Sequence, residues 1–259
     1  MMDNLSVTII TFNEEKNIKH CIESVREVAD EIVVVDSFST DKTKEICMSL
    51  NVIFIEHLFS GYIEQKNFAL SRVSNDHVLS LDADESLSEE LKNSVLMEKK
   101  KNFPGDGYTM NRFNFYCGKW IKHGSYYPDR KLRLFNVQKG KWGGTNPHDR
   151  VEMDEAVAVK HLKGDLLHYT YQSFEEQHKK AELFSSIAAK ALHEKRKRGS
   201  WFKLWLSPAW AFFHGYIFKL GFLDGRIGWK IAKFTALQSF LKYKKLIQLH
   251  KNEIDAKNI

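Results

Sequence analysis

The sequence predicts an α/β fold: a mostly parallel sheet with flanking helices, followed by a basic, aromatic C-terminal helical extension. Three observations predict it. Short apolar runs alternate with segments of helical spacing over residues 5–101. Polar, carboxylate-bearing stretches follow directly on three of those runs. The positive charge is confined to the last quarter of the chain: residues 1–194 hold 25 Lys+Arg against 30 Asp+Glu, whereas residues 195–251 hold 13 Lys+Arg against Asp224 alone.

The elements follow in order. "LSVTIITF" (5–12) is a β-rich apolar run closed by polar "NEEKN". "IKHCIESVREVAD" then places Ile18, Cys21, Ile22 and Val25 on one helical face. "EIVVVDS" (31–37) is apolar through its middle, as a parallel strand covered on both faces is. "STDKTKEICMSL" is a helix entered from a Ser/Thr/Asp cap. "NVIFIEH" gives a third strand, "GYIEQKNFALSRV" a third helix, "DHVLSLDAD" a fourth strand and "SEELKNSVLMEKKK" (88–101) another helix. Beyond it the pattern changes. "GYTMNRFNFYCGKWI" and "KLRLFNV" read as antiparallel aromatic strands, and "KWGGTNPHDRVEM" as a loop running into a strand. "FEEQHKKAELFSSIAAKALHEKRKR" (174–198) is a helix with Phe184, Ile187, Ala188, Ala191 and Leu192 on one face. The predicted boundary therefore divides 1–173 from 174–259.

Composition bounds the function. Hydrophobic content of 43% and charge of 28% are ordinary for a folded soluble chain. Cys21, Cys47 and Cys117 fit no zinc spacing and read as reduced thiols of a cytosolic protein. "MMDNLSVTII" lacks the basic start and apolar core of a signal peptide. The basic quarter calls for anionic partners. Its segment 201–223 is apolar, but its uncharged core, Leu204 to Phe218, has 15 residues, short of the ~20 a membrane span needs. Aromatics and lysines around an apolar patch suit a helix lying among lipid headgroups. Packing on the rest of the protein is the other reading. No nucleic-acid module is visible, and no nucleic-acid partner is expected.

The strand ends hold the chemistry. In "VLSLDADESL" (78–87) three carboxylates crowd the end of a buried strand. Asp82 and Asp84, at i and i+2, can share a hard cation such as Mg²⁺ or Mn²⁺ that keeps room for phosphate oxygens. A solvated turn opening an acidic helix is the plain alternative. Arg133, in "YYPDRKLRLF" with Arg130 and Lys131, can grip a diphosphate through paired hydrogen bonds, or stand exposed on a strand. Lys66, after the third strand, reads as a helix-surface lysine, with an approach to a bound nucleotide as the other reading, and His168 as a structural strand histidine or a late metal ligand.

Taken together, "TIITFNEEKNI", "VVVDSFSTDKT" and "LSLDADE" resemble the family 2 glycosyltransferases, whose fold is the Rossmann-like nucleotide-binding GT-A fold. The resemblance covers about the first 90 residues most strongly. It implies that Thr11, Asn13 and Glu14 hold the nucleotide, that Asp36 contacts uridine, and that Ser39 belongs to the same motif. Asp82 and Asp84 match its Asp-x-Asp for metal and diphosphate. "LRLFN", "KWGGTNPHDRV", "LLHYTYQS" and "GFLDGRIG" narrow the likeness to bacterial family 2 enzymes of lipopolysaccharide core synthesis that add β-linked glucose to inner-core heptose. Those relatives carry an acid, usually Glu, after the His of the Trp loop; here it is Asp149 after His148, in the loop of Trp142.

The implied activity is inverting transfer of a hexose, glucose from UDP-glucose, to a lipopolysaccharide core or related glycolipid. Mg²⁺ or Mn²⁺ would assist, and Asp149 would act as general base. Trp142 and His148 are candidates for the acceptor side. The implied place is the cytoplasmic face of the inner membrane, on an anionic surface, with 1–173 the catalytic domain and 174–259 the membrane-associating extension. Two rivals stand beside this reading: a phosphatase using the Asp-x-Asp pair, which would want it on an early strand, and a non-catalytic membrane-binding protein with a degenerate transferase fold.

Overall fold

Every residue of the first strand, β1 (Leu5–Thr11), is buried, including Ser6 and Thr8. This is the signature of a central parallel strand. The structure is a computed structural model, and it describes residues 4–146, 148–171 and 174–257. β1 pairs in parallel on one side with β2 (Glu31–Asp36) and on the other with β4 (His77–Asp82); β2 pairs in parallel with β3 (Ile53–Glu56). The helices between them are α1 (Ile18–Val25), α2 (Thr43–Ser49) and α3 (Tyr62–Leu70). Val33, Val34 and Val35 are fully buried in β2, and Ile18, Ile22 and Val25 of α1 lie in the same core as Leu5, Val7 and Ile9. Each such side chain contributes about 1.5–3 kcal/mol on burial.

Short β5 (Glu85–Leu87) leads into α4 (Glu89–Lys100), whose N-cap Ser88 accepts a hydrogen bond from the Leu91 N–H. The aromatic strands then extend the sheet as the sequence predicts. β6 (Gly107–Tyr116) runs antiparallel to two-residue β7 (Lys119–Trp120) and to β8 (Asp129–Asn136), and β8 runs antiparallel to β4. β9 (Gly140–Thr145) and β10 (His148–Met153) form a separate antiparallel pair. β11 (Val159–Tyr171) closes the order β3-β2-β1-β4-β8-β6-β11-β5. One expectation changes here: "KWGGT" is not loop but lies in β9, the first strand of the hairpin, with Trp142 opposite Val151.

The chain divides into two units, 1–114 with 129–170 and 115–128 with 171–259. The segment 115–128 thus belongs with the C-terminal helices. These are α5 (Phe174–Glu194), α6 (Trp201–Phe213) and α7 (Gly225–Lys257). Among the described α5 side chains the most buried apolar and hydroxyl positions are Ala181, Ser185 and Ala189, rather than the predicted larger face. Small residues let α7 approach, and Lys245 of α7 donates to Ser185 Oγ at 2.8 Å and Ser186 Oγ at 2.9 Å.

The "GFLDGRIG" stretch is a corner between α6 and α7. Asp224, buried, accepts from the backbone N–H groups of His123 (2.9 Å) and Lys122 (3.3 Å). A Cβ on Gly228 would sit 1.8 Å from the Gly221 carbonyl oxygen, so only glycine permits this approach.

Candidate active site

The parallel register brings Thr11 beside Asp36 and Ile10 beside Asp82, so the three polar segments meet at the carboxyl ends of β1, β2 and β4. There the chain knits two loops together. Asp36, fully buried, accepts from the Ser39 N–H (2.7 Å) and hydroxyl (2.5 Å). Ser39 Oγ in turn accepts from the Asn13 N–H at 2.8 Å, and Asn13 Oδ1 accepts from the Thr40 N–H at 2.8 Å. Asn13 and Phe38 hold positive φ, 54° and 60°. The Glu14 N–H donates to Thr43 Oγ1 (2.9 Å), and the Glu14 carboxylate accepts from Asn17 (2.7 Å). The Thr11 hydroxyl is buried without a partner among the described residues. Asp41 accepts from the N–H and hydroxyl of Thr43, the first residue of α2, whereas Ser39 buttresses Asp36.

Beside this nest lies a cleft of 360 Å³. Its lining includes six cationic side chains, Lys66, Arg112, Arg130, Lys131, Arg133 and Arg150, against two carboxylates, Asp82 and Asp149, with Trp142 as an apolar wall. Arg112 and Lys131 pair with Asp129 at 2.8 and 3.0 Å and Arg150 with Glu152 at 2.8 Å, so the cleft offers a dense set of guanidinium and ammonium donors, the kind that phosphate oxygens accept from.

Lys66 is the centre of the cleft. It is 2% exposed, so it is not the helix-surface lysine its position in α3 suggests. Its ammonium lies 2.7 Å from Asp149 Oδ2 and 3.0 Å from Asp82 Oδ1, and 4.3 Å from the Trp142 ring centroid. Arg133, 4% exposed, is likewise no exposed strand residue. It donates to Asp82 Oδ2 at 3.0 Å and Glu85 Oε1 at 2.7 Å, with its guanidinium 5.3 Å from the Trp142 centroid. Burial would raise the Asp82 pKa; Lys66 first and Arg133 second outweigh it and hold the carboxyl well below the usual range. Asp149 therefore pairs with Lys66, while Arg150 pairs with Glu152 at 2.8 Å.

The hairpin that carries Asp149 is clasped to α3. Asn67 accepts the Trp142 N–H (3.0 Å) and donates to the Trp142 carbonyl (2.9 Å), and Asn146 accepts the Ile63 N–H at 3.1 Å. The side chain of His148 lies outside the described residues.

Asp84 keeps different company from Asp82. Its Oδ2 is 3.4 Å from His168 Nε2. His168 Nδ1 is 2.7 Å from Asn114 Oδ1. An amide oxygen accepts only, so Nδ1 is the donor to Asn114, and Nε2 is the ring nitrogen that faces the Asp84 carboxylate. A carboxylate oxygen and an imidazole nitrogen, the latter oriented by a second hydrogen bond, form a donor set that fits a divalent cation of the Mn²⁺ kind.

The sequence pattern of Glycosyl transferase family 2 matches residues 6–157, which span the Asn13–Asp36–Ser39 nest, the Asp-x-Asp turn and the β9–β10 hairpin. The chain is a family 2 glycosyltransferase. An uncharacterized glycosyltransferase of Rickettsia typhi is 33% identical over 96% of this chain and 88% of its own length. The lipopolysaccharide core biosynthesis glycosyltransferase LpsC of Rhizobium meliloti is 30% identical over 95% of this chain and 93% of its own. A crystal structure of residues 1–349 of S. aureus TarS aligns over 96% of this chain and 92% of that one at 16% identity, with a TM-score of 0.45.

For this family 2 glycosyltransferase, sequence reasoning missed two residues in the site. Glu85, the third crowded carboxylate, is buried and structural: it holds Arg133 and accepts the Asp82 N–H at 3.1 Å. Asn114 orients His168 from 54 positions away. The faint sequence signal for Lys66 is that "EQKN" interrupts the apolar face of α3 with polar residues, two of which, Gln65 and Lys66, are buried.

Proposed function

We propose that the enzyme transfers a hexose with inversion from a UDP-sugar, UDP-glucose being the expected donor, to a lipopolysaccharide core or related glycolipid. It would act at the cytoplasmic face of the inner membrane. The observation that carries this reading is the bridge Asp82–Lys66–Asp149 inside a cation-lined cleft at the strand ends. The likeness to LpsC supports the acceptor class.

In this reading Asp36 and the Asn13–Ser39 nest face the nucleoside, where a carboxylate accepts from uracil N–H or ribose hydroxyls. Arg133 and the exposed cations of β8 take the diphosphate oxygens. Asp84 and His168 are the residues that would hold a divalent cation, Mg²⁺ or Mn²⁺, with Asp82 two positions away; when bound, it supplies positive charge against the leaving diphosphate. Asp149 takes the proton of the acceptor hydroxyl as its oxygen bonds to the anomeric carbon and the bond from that carbon to the diphosphate oxygen breaks. Lys66 orients the Asp149 carboxylate. Trp142 walls the acceptor side.

Hydrolysis of a panel of UDP-sugars by purified protein, with Mg²⁺, with Mn²⁺ and with EDTA, tests the donor site. Metal-dependent turnover of one UDP-hexose is the expected result. Failure of every UDP-sugar to turn over, together with no UDP binding, would refute it.

A further inference from the structure

The outward face of α6 is the reverse of a solvated helix. A surface helix normally turns its polar residues to water and its apolar stripe inward. In α6 the only buried residue is Leu204. Trp201, Phe202, Trp205 and Trp210 are instead between 62% and 73% exposed. Leu206 and Phe213 continue the stripe at helical spacing, and Ile217 and Phe218 carry it past the helix end. At the corner Leu220, Phe222 and Leu223 are also exposed. The buried Asp224 and the close Gly221–Gly228 approach fix that corner, so the apolar tip is held in place. A contiguous exposed apolar surface of this kind marks a docking site.

The charges around it say what docks. Lys195, Arg196, Lys197 and Arg198 are exposed just before α6, and Lys203, Lys219, Arg226 and Lys230 within or beside the patch. Asp224 is the single acidic residue in 195–251, and it is buried. A second copy of the chain would bring two such basic fringes together, which disfavours self-association. An anionic surface meets both the fringe and the aromatics, since Trp side chains settle at headgroup depth. No helix among the described residues is long and apolar enough to cross a membrane. The 13 residues of α6 span about 20 Å, against the ~30 Å of a hydrocarbon core.

We propose that this face docks the protein on an anionic lipid bilayer, with α6 lying in the headgroup plane and the corner at 217–223 inserted beside it. Only the purpose, bringing the enzyme to a lipid-linked acceptor, rests on the transferase reading above.

The test is flotation of the full chain with vesicles of phosphatidylcholine, with and without phosphatidylglycerol, at low and high salt. UDP-sugar hydrolysis and sedimentation are measured on the same preparations. The expected result is binding at least about tenfold tighter to the anionic vesicles, weakened by salt. Trp205→Glu with Trp210→Glu should abolish it, and Lys195→Glu with Lys197→Glu should weaken it about tenfold, all with hydrolysis unchanged. The proposal falls if the wild type does not float, or if both variants float as it does. It also falls if the wild type is a dimer that the tryptophan substitutions split. Flotation as expected from a protein that hydrolyses no UDP-sugar would leave the docking standing and remove the transferase reading.

Discussion

In the first unit the charged side chains Lys66, Arg133 and Glu85 are buried at 2%, 4% and 1% exposure; in the second the aromatic side chains Trp201 and Phe202 stand out at 71% and 73%. Both regions run against the usual partition of residues between core and water. They do so for different physical reasons. In the cleft each of these buried charges has a partner of opposite sign within 3.0 Å, and further guanidinium and ammonium groups line the cleft around them. On α6 the rings touch neighbours such as Phe240 on one side and leave most of their surface to solvent. A buried cluster of paired charges suits a small charged ligand, and an exposed apolar face with a basic fringe suits an extended anionic surface.

Substitution at the centre of the matched cluster breaks the comparison most strongly. Lys66→Met leaves Asp82 and Asp149 without their shared cation, and should lower stability by about 3–5 kcal/mol in denaturant unfolding. Adding Asp149→Asn to it should restore part of that loss, because the two residues form one network. An additive double variant would show that the bridge has no energetic weight.

Next in size is the corner of the second unit. Gly228→Ala places a methyl against the Gly221 carbonyl and should cost about 1–3 kcal/mol, read as a lower thermal midpoint. UDP binding by the first unit should be unchanged.

The acid limb sharpens the account of Asp82. Its folded pKa lies below the unfolded value of about 3.9, so its contribution is complete above that value and is lost as the pH falls through it toward the folded one. The stability gap between wild type and Asp82→Asn should therefore hold steady above about pH 5 and shrink progressively as the pH falls below about 4. A gap that stays constant would mean that Lys66 and Arg133 do not hold the carboxylate.

The smallest expected effect is chemical. Burial, then the carboxylates of Glu85, Asp84 and Asp82, push the Cys21 thiol up, and burial followed by Asp36 pushes Cys47 up to about 12. In native protein a thiol reagent should label Cys117 first. Early labelling of Cys21 would mean that the strand ends open readily.

The parallel block was legible because strands covered on both faces leave unbroken apolar runs, as "IVVV" does in β2. The Asp-x-Asp turn was legible for the same reason: an apolar strand running into carboxylates is conspicuous. The β9–β10 hairpin was not, because Gly143 and Gly144 hide the alternation that would mark a strand. The burial of Lys66 was not legible either, since it is tied to Asp149, 83 positions away, and no local pattern records that. The same holds for His168, whose ring is aimed by Asn114 from another strand.

The central claim is that Asp149 is the group that takes the acceptor proton in a site that binds a UDP-sugar. The most direct measurement is transfer from the UDP-sugar found to be the donor onto a lipopolysaccharide core acceptor by wild type and Asp149→Asn, with the UDP dissociation constant of each. The account predicts a fall in kcat of about 10²–10⁴ with UDP affinity within a few-fold of wild type. An Asp149→Asn enzyme that transfers at the wild-type rate would contradict it.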